Sequence, residues 1–218
     1  MRKIVVGAFV SLDGVMQGPG GPDEDPIGGF RHGGWVAPYF DPTLESAVGE
    51  MFARPFDLLL GRKTYDIFAA HWPYVGADDP IGPMFDRINK YVATRNPALK
   101  LAWQNSHALR PDAVAAVRQL KREDGPDLLT QGSTDFLKTL FDNDLVDELN
   151  VSCFPLVLGT GKRLFGGTFH GAFRLLASTA SASGVVVNRY VRAGAIVTGS
   201  FEFEQPTDAE LERRRRLA

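Results

Sequence analysis

Apolar residues along the chain fall into two kinds of run. Lys3 to Val10, Phe56 to Leu60, Tyr91 to Thr94 and Asp127 to Gln131 are short and nearly unbroken, as in strands buried on both faces. Glu148 to Phe154 reads as a further strand, and Leu101 to Asn105 as a shorter one. Between them lie segments with apolar residues at helical spacing. Thr43 to Arg54 places Leu44, Val48, Met51 and Phe52 on one face, with Thr43 as its expected cap. A helix opens at Gly61 and continues through Phe68, and Met84 to Ile88 is a helical turn. Asp112 to Glu123 turns Val114, Val117 and Leu120 inward, and Phe136, Leu137, Leu140 and Phe141 follow an N-cap run, Ser133-Thr134-Asp135. After Phe165 the pattern changes. Phe173–Ser178, Val185–Arg192 and Ile196–Glu204 read as strands with only turns between them, which should pair antiparallel. The expected fold class is α/β, three-layered: a mixed, mostly parallel central sheet flanked by helices, with antiparallel C-terminal strands. One domain is expected over 1–204, followed by a charged tail, 205–218, as a fraying helix end.

The turns at the strand ends carry the candidate chemistry. Two strands run into a glycine and then a helix start: Gly61-Arg62-Lys63-Thr64, and Gln131-Gly132-Ser133-Thr134. The first N–H groups of a helix have no intrahelical partner and the helix dipole favours an anion there. An ordinary turn with a good cap accounts for the second stretch taken alone. Gly159-Thr160-Gly161 has Leu164 at the third glycine position of a dinucleotide fingerprint, and a P-loop reading fails at Leu156 and Arg163. Asp13 ends the first strand, where α/β sheets place ligands, and it equally suits a turn. Gln17 to Pro38 is rich in Gly and Pro. So long a connection with Phe30 and Trp35 inside it suggests a lid over a pocket, anchored by Trp35, with His32 solvated.

Composition narrows the classes. Lys and Arg number 24 against 26 Asp and Glu, so no general basic field favours nucleic acid. The single cysteine, Cys153, sits in an apolar strand and permits no intrachain disulfide, as in a reducing compartment. The apolar run after Met1-Arg2-Lys3 is cut short by Asp13, and none approaches membrane-spanning length; a cytoplasmic protein is expected.

Taken together, Ser11-Leu12-Asp13-Gly14, Leu60 to Tyr65, and the block from Gly132 through Leu145-Val146-Asp147-Glu148 to Phe165 resemble the dihydrofolate-reductase-like superfamily. The nearer branch is the reductase-domain (C-terminal) family of the bifunctional riboflavin-biosynthesis deaminase/reductase, including stand-alone bacterial members. The resemblance spans about Lys3 to Phe203. It implies NADPH as cofactor and hydride transfer to a C=N group of a small heterocycle, similar to 5-amino-6-(5-phosphoribosylamino)uracil reductase. Dihydrofolate reduction, or a nucleotide-binding protein without the chemistry, are the alternatives. By the same resemblance Gly61, Arg62, Lys63 and Thr64 contact the cofactor's phosphates, Thr94 and Arg95 its adenosine end, and Gln131, Gly132, Ser133 and Thr134 its pyrophosphate. Asp13 and Glu45 are the candidate catalytic carboxylates. Arg31, Lys162 and Arg163 are candidates for clamping a substrate phosphate. The zinc signature of the deaminase half is absent, and a homodimer is expected.

Overall fold

The central strand is β1 (Ile4–Ser11), whose residues point alternately into two apolar layers. The computed structural model of the chain describes residues 1–166 and 168–217. Further strands are β2 (Phe56–Gly61), β3 (Lys90–Ala93), β4 (Ser106–Leu109), β5 (Asp127–Thr130), β6 (Glu148–Phe154), β7 (Ala172–Ala180) and β8 (Val186–Gly194). They form one eight-stranded sheet in the order β4-β3-β2-β5-β1-β6-β8-β7. The pairs from β4 to β6 are parallel; β8 runs antiparallel to both β6 and β7. A parallel pair needs a crossover, and the helices supply it. These are α1 (Pro42–Phe52), α2 (Arg62–Ala69), α3 (Gly82–Arg87), α4 (Ala113–Arg122) and α5 (Thr134–Asp142). Val6, Ala8, Val10 and Leu59 pack with Val117 and Leu120 of α4 and Leu137, Leu140 and Phe141 of α5 on one face. Leu58, Leu60 and Leu129 meet Met51, Phe52, Tyr65, Phe68 and Phe85 on the other. Leu58, Leu59 and Leu60 alternate between the two layers, so the middle of this strand is apolar on both faces, while Asp57 near its start is buried against Arg2.

Three expectations from sequence are corrected. Leu101–Asn105 is not a strand; β4 begins one residue later. Trp103 is buried there by its side chain, donating Nε1–H to Asp86 at 2.6 Å, and Asn105 adopts φ 56°, which ends any extended run. Ile196–Glu204 forms no strand either. Both edges of β8 are taken, by β6 and β7, and Val197, Phe201 and Phe203 lie exposed beyond them. The cap of α1 is Asp41, whose side chain accepts the Leu44 N–H at 3.0 Å, so that Pro42, not Thr43, opens the helix. In the tail, α6 (Asp208–Arg215) is capped by Thr207 and held by Glu210 bridging Arg213 and Arg214. The last residue of the expected tail, Ala218, lies outside the described residues.

The Gly/Pro segment folds on a core of its own. Phe30, Trp35 and Val36 are buried with Val15, Leu44, Phe154 and Val185. Trp35 meets Phe154 edge-on and donates its indole N–H to the Gln17 carbonyl at 2.9 Å. Gln17 in turn donates to the carbonyls of Asp25 and Ile27 and accepts the Lys162 N–H at 3.0 Å. Trp35 is an anchor, as expected, but no residue of 17–38 lines either of the two cavities described below.

Candidate functional site

β3, β2 and β5 are neighbours and parallel, so their carboxyl ends open on one edge of the sheet. Three of the turns singled out from sequence therefore meet there. Gly61 ends β2 and precedes α2; Gly132 and Ser133 follow β5 and precede α5; Thr94 and Arg95 follow β3. Neither α2 nor α5 has a side chain capping its first turn, although Ser133 stands at the cap position. Their leading N–H groups thus lack the partner that a helix start normally recruits.

The two helix starts touch through glycines. Gly61 donates its N–H to the Gly132 carbonyl at 2.9 Å. A Cβ on Gly61 would lie 2.3 Å from Ser133 Oγ and 2.8 Å from its backbone nitrogen. A Cβ on Gly132, which has φ 142°, would lie 2.6 Å from Thr64 Oγ1. The Gly132–Ser133 peptide is cis. Only glycine permits this approach, and it sets two electropositive helix ends side by side. Arg62 and Arg95 are exposed nearby; among the described residues Arg62 pairs with the solvent-exposed Asp66 one turn on, a partner of small worth. Lys63 and Thr64 are half-buried, and Thr94 is buried, its hydroxyl accepting the Asn96 N–H at 3.1 Å.

Gln131 lies on the inner side of this cradle. It lines a small cavity with Gly7, Phe9, Ala47, Met51 and Asn150. Gly7 is needed there because a Cβ would lie 2.5 Å from Met51 Sδ. Ala47, Met51, Asn150 and Val187 also line a cavity of about 430 Å3 that runs under α1 across β1, β6, β8 and β7. That volume is typical of a small-molecule site.

The two candidate carboxylates lie elsewhere. Glu45 is on the exposed side of α1 and lines neither cavity. Besides Pro42 at its start, the residues of α1 that face the larger cavity are Thr43, Ser46, Ala47, Glu50 and Met51, a stripe at helical spacing that excludes position 45. Glu50 falls on this stripe by that spacing. Asp13 closes a clasp between the turn after β1 and the segment following β6. It accepts the Ser11 hydroxyl at 2.6 Å and the N–H groups of Leu158 at 3.1 Å and Gly159 at 2.9 Å. The Ser11 hydroxyl first, then these amides, hold its carboxyl down at about 2. Burial acts to raise it but is outweighed by these hydrogen bonds, so Asp13 is ionised at neutral pH and is a poor proton relay. The proposed phosphate clamp disperses as well. Arg163 donates to the Asp13 carbonyl and carboxylate, Lys162 pairs with Asp25, and Arg31 is exposed outside both cavities. Cys153 is half-buried in β6, and burial pushes its thiol up, away from reactivity. Among the described residues no His/Cys/Asp/Glu group is disposed to hold a metal, and no helix is long and apolar enough to cross a membrane.

Comparison with known proteins places this geometry. The Bacillus subtilis protein YwjB, itself uncharacterised, is 26% identical over 194 residues, covering 88% of this chain and 99% of its own. The Thermotoga maritima diaminohydroxyphosphoribosylaminopyrimidine deaminase/5-amino-6-(5-phosphoribosylamino)uracil reductase superposes with a TM-score of 0.60 at 14% identity, over 88% of this chain and 57% of that one. Dihydrofolate reductase from Enterococcus faecalis, in a complex with NADP(H), superposes with a TM-score of 0.56 at 12% identity, over 87% of this chain and 96% of that one. At such identities the two structures show a shared fold, the mixed dihydrofolate-reductase-like sheet. The model of the RibD C-terminal domain matches residues 2–187, most of the chain, and the protein therefore belongs to the RibD C-terminal domain family.

Proposed function

We propose that the protein is an NADPH-dependent reductase that delivers a hydride to a C=N-type group of a small heterocycle, similar to 5-amino-6-(5-phosphoribosylamino)uracil reductase. One observation carries the reading: two uncapped helix starts pressed together through Gly61 and Gly132 at the carboxyl ends of neighbouring parallel strands. A Cβ at Gly61 or Gly132 would force the two helix starts apart, so the glycines let both present their leading amides to one diphosphate. The leading amides of α2 and α5, with Lys63, Thr64, Ser133 and Thr134, bind it. Thr94 and Arg95 hold the adenosine end, and Arg62 exchanges its solvent-exposed partner for a phosphate, to which a guanidinium binds in two-pronged fashion. NADPH, when bound, supplies the hydride; the chain supplies position and the exclusion of water. Gln131 links the cradle to the small cavity it lines with Gly7 and Asn150, on the way to the larger one that Asn150 also lines. Family membership and the NADP(H) bound by the structurally similar dihydrofolate reductase support the choice of cofactor.

Titration with NADPH and NADH in parallel, followed by nicotinamide fluorescence, tests the reading. NADPH is expected to bind more tightly. Arg62→Ala or Arg95→Ala should each weaken it by about one to two decades, the worth of a charge-assisted hydrogen bond. No binding of either cofactor at millimolar concentration would sink the proposal. A homodimer is also proposed, supported by the exposed edge strand β7 with Leu175 and Leu176; a single-chain mass in light scattering would refute it.

A further inference from the structure

Two parts of the chain stand without cover. β7 is the last strand of the sheet, so one of its edges pairs with β8 and the other, among the described residues, is free over nine residues. It carries no proline and one charged residue, Arg174, and Leu175 and Leu176 are exposed on it. Such an edge accepts another strand, even with a bulge at Leu176. The second part is the segment 195–207, an arm between β8 and α6. Ile196, Val197, Phe201 and Phe203 are exposed on it, Val197 at 93% and Phe201 at 109%, so among the described residues nothing covers these two. The match to the RibD C-terminal domain ends at residue 187, ahead of the arm.

The edge and the arm match face for face. Along β7, Phe173 and Leu175 stand on one face, on the rungs of Arg192 and Tyr190. Arg174, on the Val191 rung, stands on the other with Ala177 and Thr179, which line the larger cavity. Phe201-Glu202-Phe203-Glu204 alternates in the same way, with two aromatics on one side and two acids on the other. Its apolar side suits Phe173 and Leu175, and its acidic side suits Arg174. Arg174 and Glu204 are both exposed and, among the described residues, neither belongs to an ion pair, whereas Glu202 pairs with Arg214. The strand-like alternation of Ile196–Glu204 has no rung in its own sheet, and a free edge supplies one. Extended, the arm reaches roughly 40 Å, enough to run the length of β7.

We propose that the arm of one copy pairs along the free edge of β7 in a second copy, as a ninth strand on its eight-stranded sheet, and that the exchange is reciprocal. Main-chain hydrogen bonds supply the attraction and the side-chain alternation supplies the register. Phe203 covers Leu175 and Glu204 meets Arg174, so the pair is antiparallel, and Phe201 continues the apolar face. Reciprocal exchange closes at two copies. The added strand borders the larger cavity beyond Ala177 and Thr179, so each copy supplies part of the other's cavity wall. The inference rests on the homodimer reading and names its interface; it is independent of the cofactor.

Light scattering of the full chain over a range of concentrations is the first test. A two-chain mass is expected. The double variant Phe201→Asp, Phe203→Asp should raise the dimer dissociation constant at least about a hundredfold, because two apolar side chains lose their cover. Both residues are exposed in the single chain, so this variant should keep its fold, which circular dichroism checks. Arg174→Glu should weaken the dimer about twofold to fivefold, and Glu204→Arg in the same chain should restore it. Disulfide capture separates exchange from an arm folded on its own chain. A Leu175→Cys chain and a Phe203→Cys chain, distinguishable by mass, are mixed and oxidised, and a disulfide between the two is expected. No such disulfide, or a chain carrying both substitutions that closes it internally on dilution, overturns the inference. So does a two-chain mass that Phe201→Asp, Phe203→Asp leaves unchanged, a result that keeps the homodimer and removes the exchange alone. A single-chain mass for the wild type removes both.

Discussion

The turn after β1 and the turns after β2 and β5 look alike in sequence: each is a buried strand running into small and polar residues with a glycine. The fold uses them in opposite ways. After β1, donors and acceptors are spent within the chain. Asp13 takes the Ser11 hydroxyl and two amides, Ser11 Oγ also accepts the Val15 N–H, and Gln17 ties the loop to Lys162. After β2 and β5, the glycines hold two helix starts together and no side chain caps them. A strand end becomes a binding site when its polar groups are left unsatisfied, and a structural clasp when they are not. Disturbing the clasp should therefore change stability, and disturbing the cradle should change ligand affinity.

The largest expected effect is on the clasp side. Trp35→Ala empties the core of the 17–38 loop and should lower unfolding free energy by about 3–5 kcal/mol. Denaturant titration gives that number, and NADPH affinity of the folded fraction should be unchanged. A large loss of affinity would mean that the loop reaches the cofactor. Next, Gly61→Ala drives a methyl group against Ser133 and should cost about 1–3 kcal/mol of stability, with nucleotide binding lost. Gly14→Ala is the matching control: its φ of 78° is unfavourable for alanine, but no atom lies within 4 Å of the new Cβ. Its cost should be about 1 kcal/mol, and binding should survive.

Asp13 sharpens the comparison through pH. Its carboxyl is held at about 2 in the folded chain, below its ordinary 3.8. A depressed folded-state value means that its contribution to stability is present above about pH 4 and is lost as pH falls towards 2. Unfolding midpoints measured across that window should decline in the wild type, and the decline should be shallower in Asp13→Asn. The smallest effect is expected from Glu45→Gln, which alters an exposed side chain outside both cavities. Its stability should stay within about 0.5 kcal/mol of wild type, and reductase turnover should match. A large loss of turnover would return Glu45 to the site.

Much of this was legible in the chain because strands buried on both faces leave unbroken apolar runs. β1, β2 and β5 are written that way, β6 alternates polar with apolar residues, and the glycines after β2 and β5 are equally plain. Legibility fails where burial does not come from sheet pairing. Trp103 is buried by an indole donating to Asp86, which gives Leu101–Asn105 the look of a strand. The apolar residues of Ile196–Glu204 are exposed, and their pattern reflects no rung of this sheet. The cavity was hidden for another reason. Its wall is assembled from one stripe of α1 and single positions on β6, β7 and β8, so Glu50 and Arg189 come together only once the topology is known. The helical stripe from Thr43 through Ala47 to Glu50 was the one local signal available.

The most direct test is to assign the backbone amide resonances of the 15N-labelled protein and follow them as NADPH is added. The account predicts that the amides of Arg62, Lys63, Thr64, Ser133 and Thr134 shift most, as uncommitted donors acquire phosphate acceptors. Those of Val15, Leu158 and Gly159, already bonded to Ser11 and Asp13, should barely move. Shifts concentrated at the clasp, with the starts of α2 and α5 unmoved, would contradict the account.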